Sequence, residues 1–246
     1  VQELELKLKH LLAPTMKGLS EAIQLIDQAI DQEKKIVIVG DYDADGATST
    51  ALMVLALREM AADVHYLVPD RFKYGYGLTP AIADLAFANF TPDLLITVDN
   101  GISSHEGVKQ AQDHGMQVIV TDHHLTTKPT PNAEAVVNPN QLGCEFPSKA
   151  LAGVGVAFYV LANLSSHRKK LGKSFAQMTN YLDLVALGTY ADVASLDYNN
   201  RILIDAGLKR IQQHLCRPGI SALLEISGRD AASLKAQDLG FVVGPR

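Results

Sequence analysis

Three apolar runs in this chain each stop at acidic or imidazole side chains. Ile36-Val37-Ile38-Val39-Gly40 leads into Asp41-Tyr42-Asp43-Ala44-Asp45-Gly46, and Leu94-Leu95-Ile96-Thr97-Val98 leads into Asp99-Asn100-Gly101. Met116–Val120 leads into Thr121-Asp122-His123-His124. Runs this short and this rich in β-branched residues read as buried strands. Helical patterns separate them. Ala47–Met60 is entered at Thr48-Ser49-Thr50, Thr79-Pro80 opens a helix to about Asn89, and Ser103 or Ser104 caps another to about His114. Val64–Val68 adds a short strand, and Glu134–Asn138 reads as a last one. Alternating strands and helices predict an α/β fold, an open and mainly parallel sheet with helices on both faces. Right-handed crossovers would leave the strand ends near 40, 68, 98 and 121 on one rim, where such sheets bind ligands.

The flanks are simpler. Residues 3–12 fit either strand alternation or a short helix, and Pro14 ends them. Leu19, Ala22, Ile23, Ile26, Ala29 and Ile30 recur at helical spacing, with Ser20 as a candidate N-cap. A charged turn, 31–35, precedes the first strand. Arg71-Phe72-Lys73-Tyr74-Gly75-Tyr76-Gly77-Leu78 reads as a loop. Past a Thr/Pro-rich loop at 126–133, the small-residue stretch Leu151-Ala152-Gly153-Val154-Gly155-Val156-Ala157 leads into an apolar helix. The rest is expected to be helical, over about 175–187, 198–214 and 219–226, with Asp192 at a helix end. A chain of 246 residues can be one large domain or two small ones.

The acids carry the chemistry. If 41–45 were extended, Asp41, Asp43 and Asp45 would share one face about 6–7 Å apart. Like charges so placed raise one another's pKa, and a divalent cation would relieve them. An acidic surface turn is the competing reading. Asp43, Asp45, Asp99, His123 and Asp192 together offer hard oxygens and one imidazole, a set suited to Mn²⁺ or Mg²⁺. The tandem His123-His124 would otherwise be a surface or core pair; its place after Asp122 at a strand end favours ligation. Arg71 could fork onto a phosphate and Tyr74 or Tyr76 stack on a base, or the loop could simply be solvated. Gly153 and Gly155 could let backbone N–H groups approach a phosphate, or only permit a tight turn. A net charge of -5 excludes a global basic field, so any nucleic-acid contact must be local or metal-mediated. Cys144 and Cys216 form no CxxC, which argues against a disulfide framework or zinc knot. No apolar run is long enough to span a membrane and no signal-peptide pattern opens the chain, so a cytoplasmic protein is expected.

Asp41-Tyr42-Asp43-Ala44-Asp45-Gly46, Val98-Asp99-Asn100-Gly101, Asp122-His123-His124 and Ala191-Asp192 together resemble the DHH phosphoesterase superfamily. Asp70-Arg71…Gly75-Tyr76-Gly77-Leu78 and Leu151-Ala152-Gly153-Val154-Gly155 resemble its single-stranded-DNA exonuclease branch. The resemblance implies two Mn²⁺ or Mg²⁺ ions held by Asp43, Asp45, Asp99, His123 and Asp192, with Asp99 bridging. Asp41 would be a further ligand or a supporting group, His124 would face the phosphate, and Asp122 would orient the histidines. Arg71, Tyr76, Gly77, Gly153 and Gly155 would bind substrate. Family members often have histidine where this chain has Val39, which gives Asp41 more weight. The implied function is metal-dependent 5′→3′ exonuclease action on single-stranded DNA in recombination and repair. The alternative is a phosphodiesterase for short oligonucleotides or cyclic dinucleotides, or a pyrophosphatase. The expected organisation is a helical lead-in over 1–35 and a catalytic domain over 36–246, with its sheet part at about 36–140 and its helical part at about 148–246. The family's C-terminal lobe is expected to be missing and the chain alone weakly active. A monomer is expected, acting on single-stranded DNA with single-strand-binding protein and a helicase as further partners.

Overall fold

The computed structural model describes residues 5–246; residues 3 and 4 of the ambiguous first segment lie outside them. The remainder of that segment is irregular apart from a 3₁₀ turn, Leu8–His10. Five strands form one sheet: β1 (Lys35–Gly40), β2 (Asp63–Leu67), β3 (Leu94–Val98), β4 (Gln117–Thr121) and β5 (Ala135–Val137). Their order is β2-β1-β3-β4-β5, and every pair is parallel. The chain moves outward from β1 to β2, then returns to the far side of β1 with β3. That reversal makes the β1/β3 boundary the topological switch point, where a crevice opens beyond the strand ends.

Alternate residues of each strand serve different cores. Ile36, Ile38, Ile96 and Ile119 face one, shared with α1 (Leu19–Asp31), α2 (Ala44–Glu59), α6 (Gly153–Lys170) and α7 (Leu182–Ala191). Val37, Val39, Leu95, Val118 and Val120 face the other, covered by α4 (Pro80–Phe90) and α5 (His105–Asp113). Helices on both faces explain why β1, β3 and β4 are apolar almost throughout rather than alternating, whereas β2, at the sheet edge, is partly polar and exposed. Val39, where family members often have histidine, is 1% exposed within the second core, and its side chain offers no ligand to the rim.

After β5 the chain is helical. α6 is apolar on nearly every side because it lies between the sheet, α1, α2 and α7. α8 (Tyr198–Gln212) crosses α7, and α9 (Pro218–Ile226) follows. At the far end of α6, buried Arg168 pairs with Asp27 and Asp31 of α1, and Lys173 joins both acids. Among the described residues, no helix is long and apolar enough to cross a membrane.

Four local expectations are corrected. Ser20 lies inside α1, because Gly18, at φ +79°, occupies the cap and passes too close to Val136 for any side chain. Helix α2 starts at Ala44 rather than Ala47, since Asp43 caps it. Arg71–Tyr74 is a short helical turn, α3, capped by Asp70, whose carboxylate accepts from Phe72 N–H at 2.9 Å. Residues 174–177 are not helical. Ser165 and Arg168 of α6 donate to the carbonyls of Ala176 and Ser174, which holds this segment open, and helix resumes only at a 3₁₀ turn, Met178–Tyr181.

Candidate metal centre

The acidic segment after β1 is not extended. Asp43 Oδ1 accepts from Gly46 N–H at 2.9 Å, which starts α2 and places Asp45 in its first turn. Gly46 permits this, because a Cβ there would come within 2.5 Å of the Asp41 carbonyl. The three carboxylates therefore go to three different partners instead of sharing a strand face. Asp45 is 2% exposed, and its Oδ2 and Oδ1 accept from Gly153 and Val154 N–H, at 2.6 and 2.8 Å. It thus sits at the N-terminus of α6, where free N–H groups and the helix dipole stabilise an anion.

β3 delivers Asp99 in the left-handed region, at φ +60°. Asn100 holds that turn. Its Nδ2 donates to the carbonyls of Val98 at 2.8 Å and Val39 at 3.2 Å, tying the ends of β3 and β1 together. β4 delivers Asp122, buried, whose Oδ1 accepts from His123 N–H (2.7 Å), His124 N–H (3.0 Å) and His124 Nδ1 (2.7 Å). Its Oδ2 accepts from Ile102 N–H at 2.8 Å. Beyond β5, the amides of Asn140 and Asn138 donate to the carbonyls of His123 and His124, at 2.5 and 3.0 Å. Asp192 arrives as the C-cap of α7.

His123 is the hub of the cluster. Its Nε2 lies 3.1 Å from Asp99 Oδ1 and 3.8 Å from Asp45 Oδ2, while its Nδ1 lies 3.9 Å from Asp192 Oδ2. Two donor groups overlap there, Asp45–His123–Asp192 and Asp99–His123–His124, each with its ligand atoms within 4.8 Å of one another. A cleft of about 510 Å³ opens beside His123, His124 and Asp192, with Leu125, Asn140 and Lys149 on its walls.

The electrostatics are those of a site built around positive charge. Burial, then the Asp45, Asp43 and Asp122 charges, push Asp99 up to about 10. Burial pushes Asp45 up to about 6, against the pull of His123, and it also raises Asp192. Asp122 differs: burial opposes ionisation, yet the hydrogen bonds and charge of His124 and the backbone N–H donors hold it below the usual range. Its bond to His124 in turn raises the imidazole. Asp99 Oδ1 and His123 Nε2 are buried, close, and without a hydrogen-bond partner. A divalent cation would satisfy both, and hard oxygens with one imidazole fit Mn²⁺ or Mg²⁺.

These directions set how the metal-free protein responds to pH. Asp99, Asp45, Asp192 and His124 all have folded pKa values above their unfolded ones. The folded state therefore holds more protons between about pH 4 and 10, and stability falls as pH rises. In EDTA, the melting temperature is expected to fall steadily from pH 5 to pH 9. Thermal unfolding across that range checks this, and saturating Mn²⁺ should flatten the slope.

The remaining sequence candidates fall at the edge of the cluster. Asp43 is exposed and belongs to neither donor group, but its charge reaches Asp99 and Asp192. Asp41 pairs with Arg71, Oδ1 to Nη2 at 2.8 Å. Tyr76 places its hydroxyl 3.3 Å from His124 Nε2. Gly77 turns at φ +75°, and the Leu78 N–H that follows donates to the Ser104 hydroxyl, so Ser104 holds the N-cap of α5 without a side-chain cap bond. Gly153 gives its N–H to Asp45, and a Cβ there would stand 2.6 Å from Asp99. Gly155 makes room for Leu151. Both glycines lie in the first turn of α6 rather than in a loop before it. Sequence reasoning missed Asn100, Asn138 and Asn140; the Asn-Pro-Asn run directly after β5 was the available signal.

A parallel α/β domain with carboxylates and imidazoles gathered at its switch point belongs to the class of proteins able to hold divalent cations for phosphoryl chemistry. The model of the DHH family, N-terminal domain, matches residues 35–189, more than half of the chain, and the chain belongs to that family. It is 55% identical over 254 residues to the single-stranded-DNA-specific exonuclease RecJ of Dickeya dadantii (strain 3937), and 51% identical over 253 residues to that of Escherichia coli (strain K12). Each match takes in 100% of this chain but 44% of the relative, so the chain spans less than half the length of these relatives. A crystal structure of exonuclease RecJ bound to manganese superimposes with a TM-score of 0.82 at 38% identity, over 95% of this chain and 57% of that one. RecJ from Thermus thermophilus in complex with Mn²⁺ gives 0.80 at 36% identity, over 98% of this chain and 33% of that one.

Proposed function

We propose that this chain carries the hydrolytic centre of a metal-dependent exonuclease that degrades single-stranded DNA from the 5′ end, in recombination and repair. The observation that carries the reading is the meeting of Asp45, Asp99, His123 and Asp192 at the switch point, with Asp99 Oδ1 and His123 Nε2 buried, 3.1 Å apart and without a hydrogen bond. The names of the relatives supply the substrate class. Asp45, Asp99, His123 and Asp192, with Asp43 at the exposed edge, would hold Mn²⁺ or Mg²⁺. Such cations supply Lewis-acid polarisation of a phosphodiester and neutralise charge that develops on its oxygens. Asp122 holds the Nδ1 proton of His124 and raises the imidazole, so that as imidazolium it can donate Nε2–H to a phosphate oxygen in the cleft beside Tyr76. The Asp45–α6 contact keeps a buried carboxylate fixed without a second counter-ion.

Grip on a strand needs cations along the backbone and aromatics under the bases. This lobe, at net charge -5, offers Arg71, Lys73 and nearby tyrosines. We therefore expect catalysis here and much of the strand affinity in further parts of a longer protein. In the cell it would work in the cytoplasm as a monomer, on strands presented by a helicase and single-strand-binding protein. Steady-state kinetics with Mn²⁺ on a 5′-labelled long single strand and on a dinucleotide test the substrate class. The long strand is expected to have at least tenfold the kcat/KM of the dinucleotide. A preference for the dinucleotide would favour the oligonucleotide phosphodiesterase instead.

A further inference from the structure

Asp41 opens the acidic motif, and spacing alone makes it a candidate ligand. The geometry points to a different duty: we propose that Asp41 is a positioning residue that holds Arg71 ready for a substrate phosphate and takes no part in metal binding. The inference rests on the phosphoesterase reading above and concerns what one acid of that site does.

Three observations carry it. Asp41 Oδ1 accepts from Arg71 Nη2 at 2.8 Å and from Tyr42 N–H at 2.8 Å, so the oxygen facing the arginine is already engaged twice. Asp41 belongs to neither of the two donor groups centred on His123. The guanidinium, finally, is held on more than one side. It lies 4.4 Å from the centroid of the Tyr42 ring and 5.9 Å from that of Tyr76, whose hydroxyl in turn reaches His124.

An arginine on a four-residue helical turn would otherwise sample many rotamers, and ordering it costs entropy at every binding event. One carboxylate and two rings meet that cost before substrate arrives. The pair leaves donors free. Arg71 Nε is buried with no hydrogen-bond partner, and Asp41 engages only Nη2. A guanidinium anchored through one nitrogen can still present its other N–H groups to an anion. Arg71, Tyr76 and His124 thus form one continuous wall, and Asp41 fixes its far end.

Asp41→Asn and Arg71→Ala, singly and together, separate this role from ligation. Mn²⁺ affinity is read by calorimetry without substrate. Affinity for a 5′-phosphorylated oligothymidylate is read by fluorescence anisotropy in Ca²⁺, with the long strand's KM and kcat in Mn²⁺. Asp41→Asn is expected to leave Mn²⁺ affinity within about twofold, while oligonucleotide affinity falls about tenfold, the size of one charge-assisted hydrogen bond. The loss should appear in KM more than in kcat, and the double variant should bind no worse than Arg71→Ala alone. Asp41→Glu, which keeps the charge, should recover part of the affinity. A tenfold loss of Mn²⁺ affinity in Asp41→Asn would make Asp41 a ligand and overturn the proposal. Additive losses in the double variant would overturn it too, by showing that the two residues act separately. Wild-type protein that binds Mn²⁺ but no oligonucleotide removes the phosphate role of the wall and the proposal with it. Wild-type protein that binds neither overturns the phosphoesterase reading itself.

Discussion

Mn²⁺ is expected to raise the melting temperature of the wild-type protein, and replacing Asp99 with Asn is expected to abolish that rise. A ligand bound only by the folded state stabilises it by mass action, about 2.7 kcal/mol at a hundred times Kd. For a chain of this size that corresponds to roughly 5–10 °C. Asp99 is the residue to test because burial and three neighbouring acids push its carboxyl up to about 10. The folded protein then holds a proton on Asp99 at neutral pH unless a cation displaces it. Asn has nearly the same shape and no charge to relieve. The metal-free variant should therefore already melt higher than wild type at pH 6, and by a wider margin at pH 8. Differential scanning fluorimetry with a Mn²⁺ titration at both pH values decides the matter. A full Mn²⁺ response in Asp99→Asn would mean that the cations are held without it.

The sheet was readable because both faces of β1, β3 and β4 are buried. Ile36–Val39 and Leu94–Val98 had to be apolar almost throughout, which makes these short β-branched runs conspicuous between longer helical segments. The meeting of Asp45, Asp99 and His123 followed from parallel topology alone, since strand ends on one rim are neighbours. What could not be read was the division of labour within a motif. Asp41, Asp43 and Asp45 look equivalent at i, i+2 and i+4. Yet one binds an arginine 30 residues away, one caps a helix, and one is held by a helix 108 residues away. The first and last of those partners are tertiary, and local spacing carries no trace of them. Ser20 missed the cap for the same reason, since Gly18 answers to β5; Ser104 does hold the N-cap of α5 but gives its hydroxyl to Leu78.

Gly153 shows how far such tertiary constraint reaches, and Gly153→Ala is expected to dismantle the metal centre while sparing the fold. Position 153 is the first residue of α6, where alanine is intrinsically the better helix former. Propensity alone would make the change harmless. The obstacle is Asp99, whose Cβ and Oδ1 would each lie 2.6 Å from the new methyl carbon. Asp99 cannot step aside easily. Its backbone is left-handed at φ +60°, and the next residue, Asn100, is tied to Val98 and Val39. Either Asp99 rotates away from His123, or α6 retreats and releases the N–H groups that hold Asp45. Both routes remove a donor from the cluster. Overpacking of this kind costs about 1–3 kcal/mol, which a domain of this size survives, whereas Mn²⁺ affinity should fall at least tenfold. Gly219→Ala is the matched control, because it is a helical glycine with nothing within 4 Å of the added carbon. Circular dichroism and Mn²⁺ calorimetry on the two variants read fold and metal separately. If Gly153→Ala binds Mn²⁺ as tightly as Gly219→Ala, the contact between α6 and Asp99 does not set the geometry of the site.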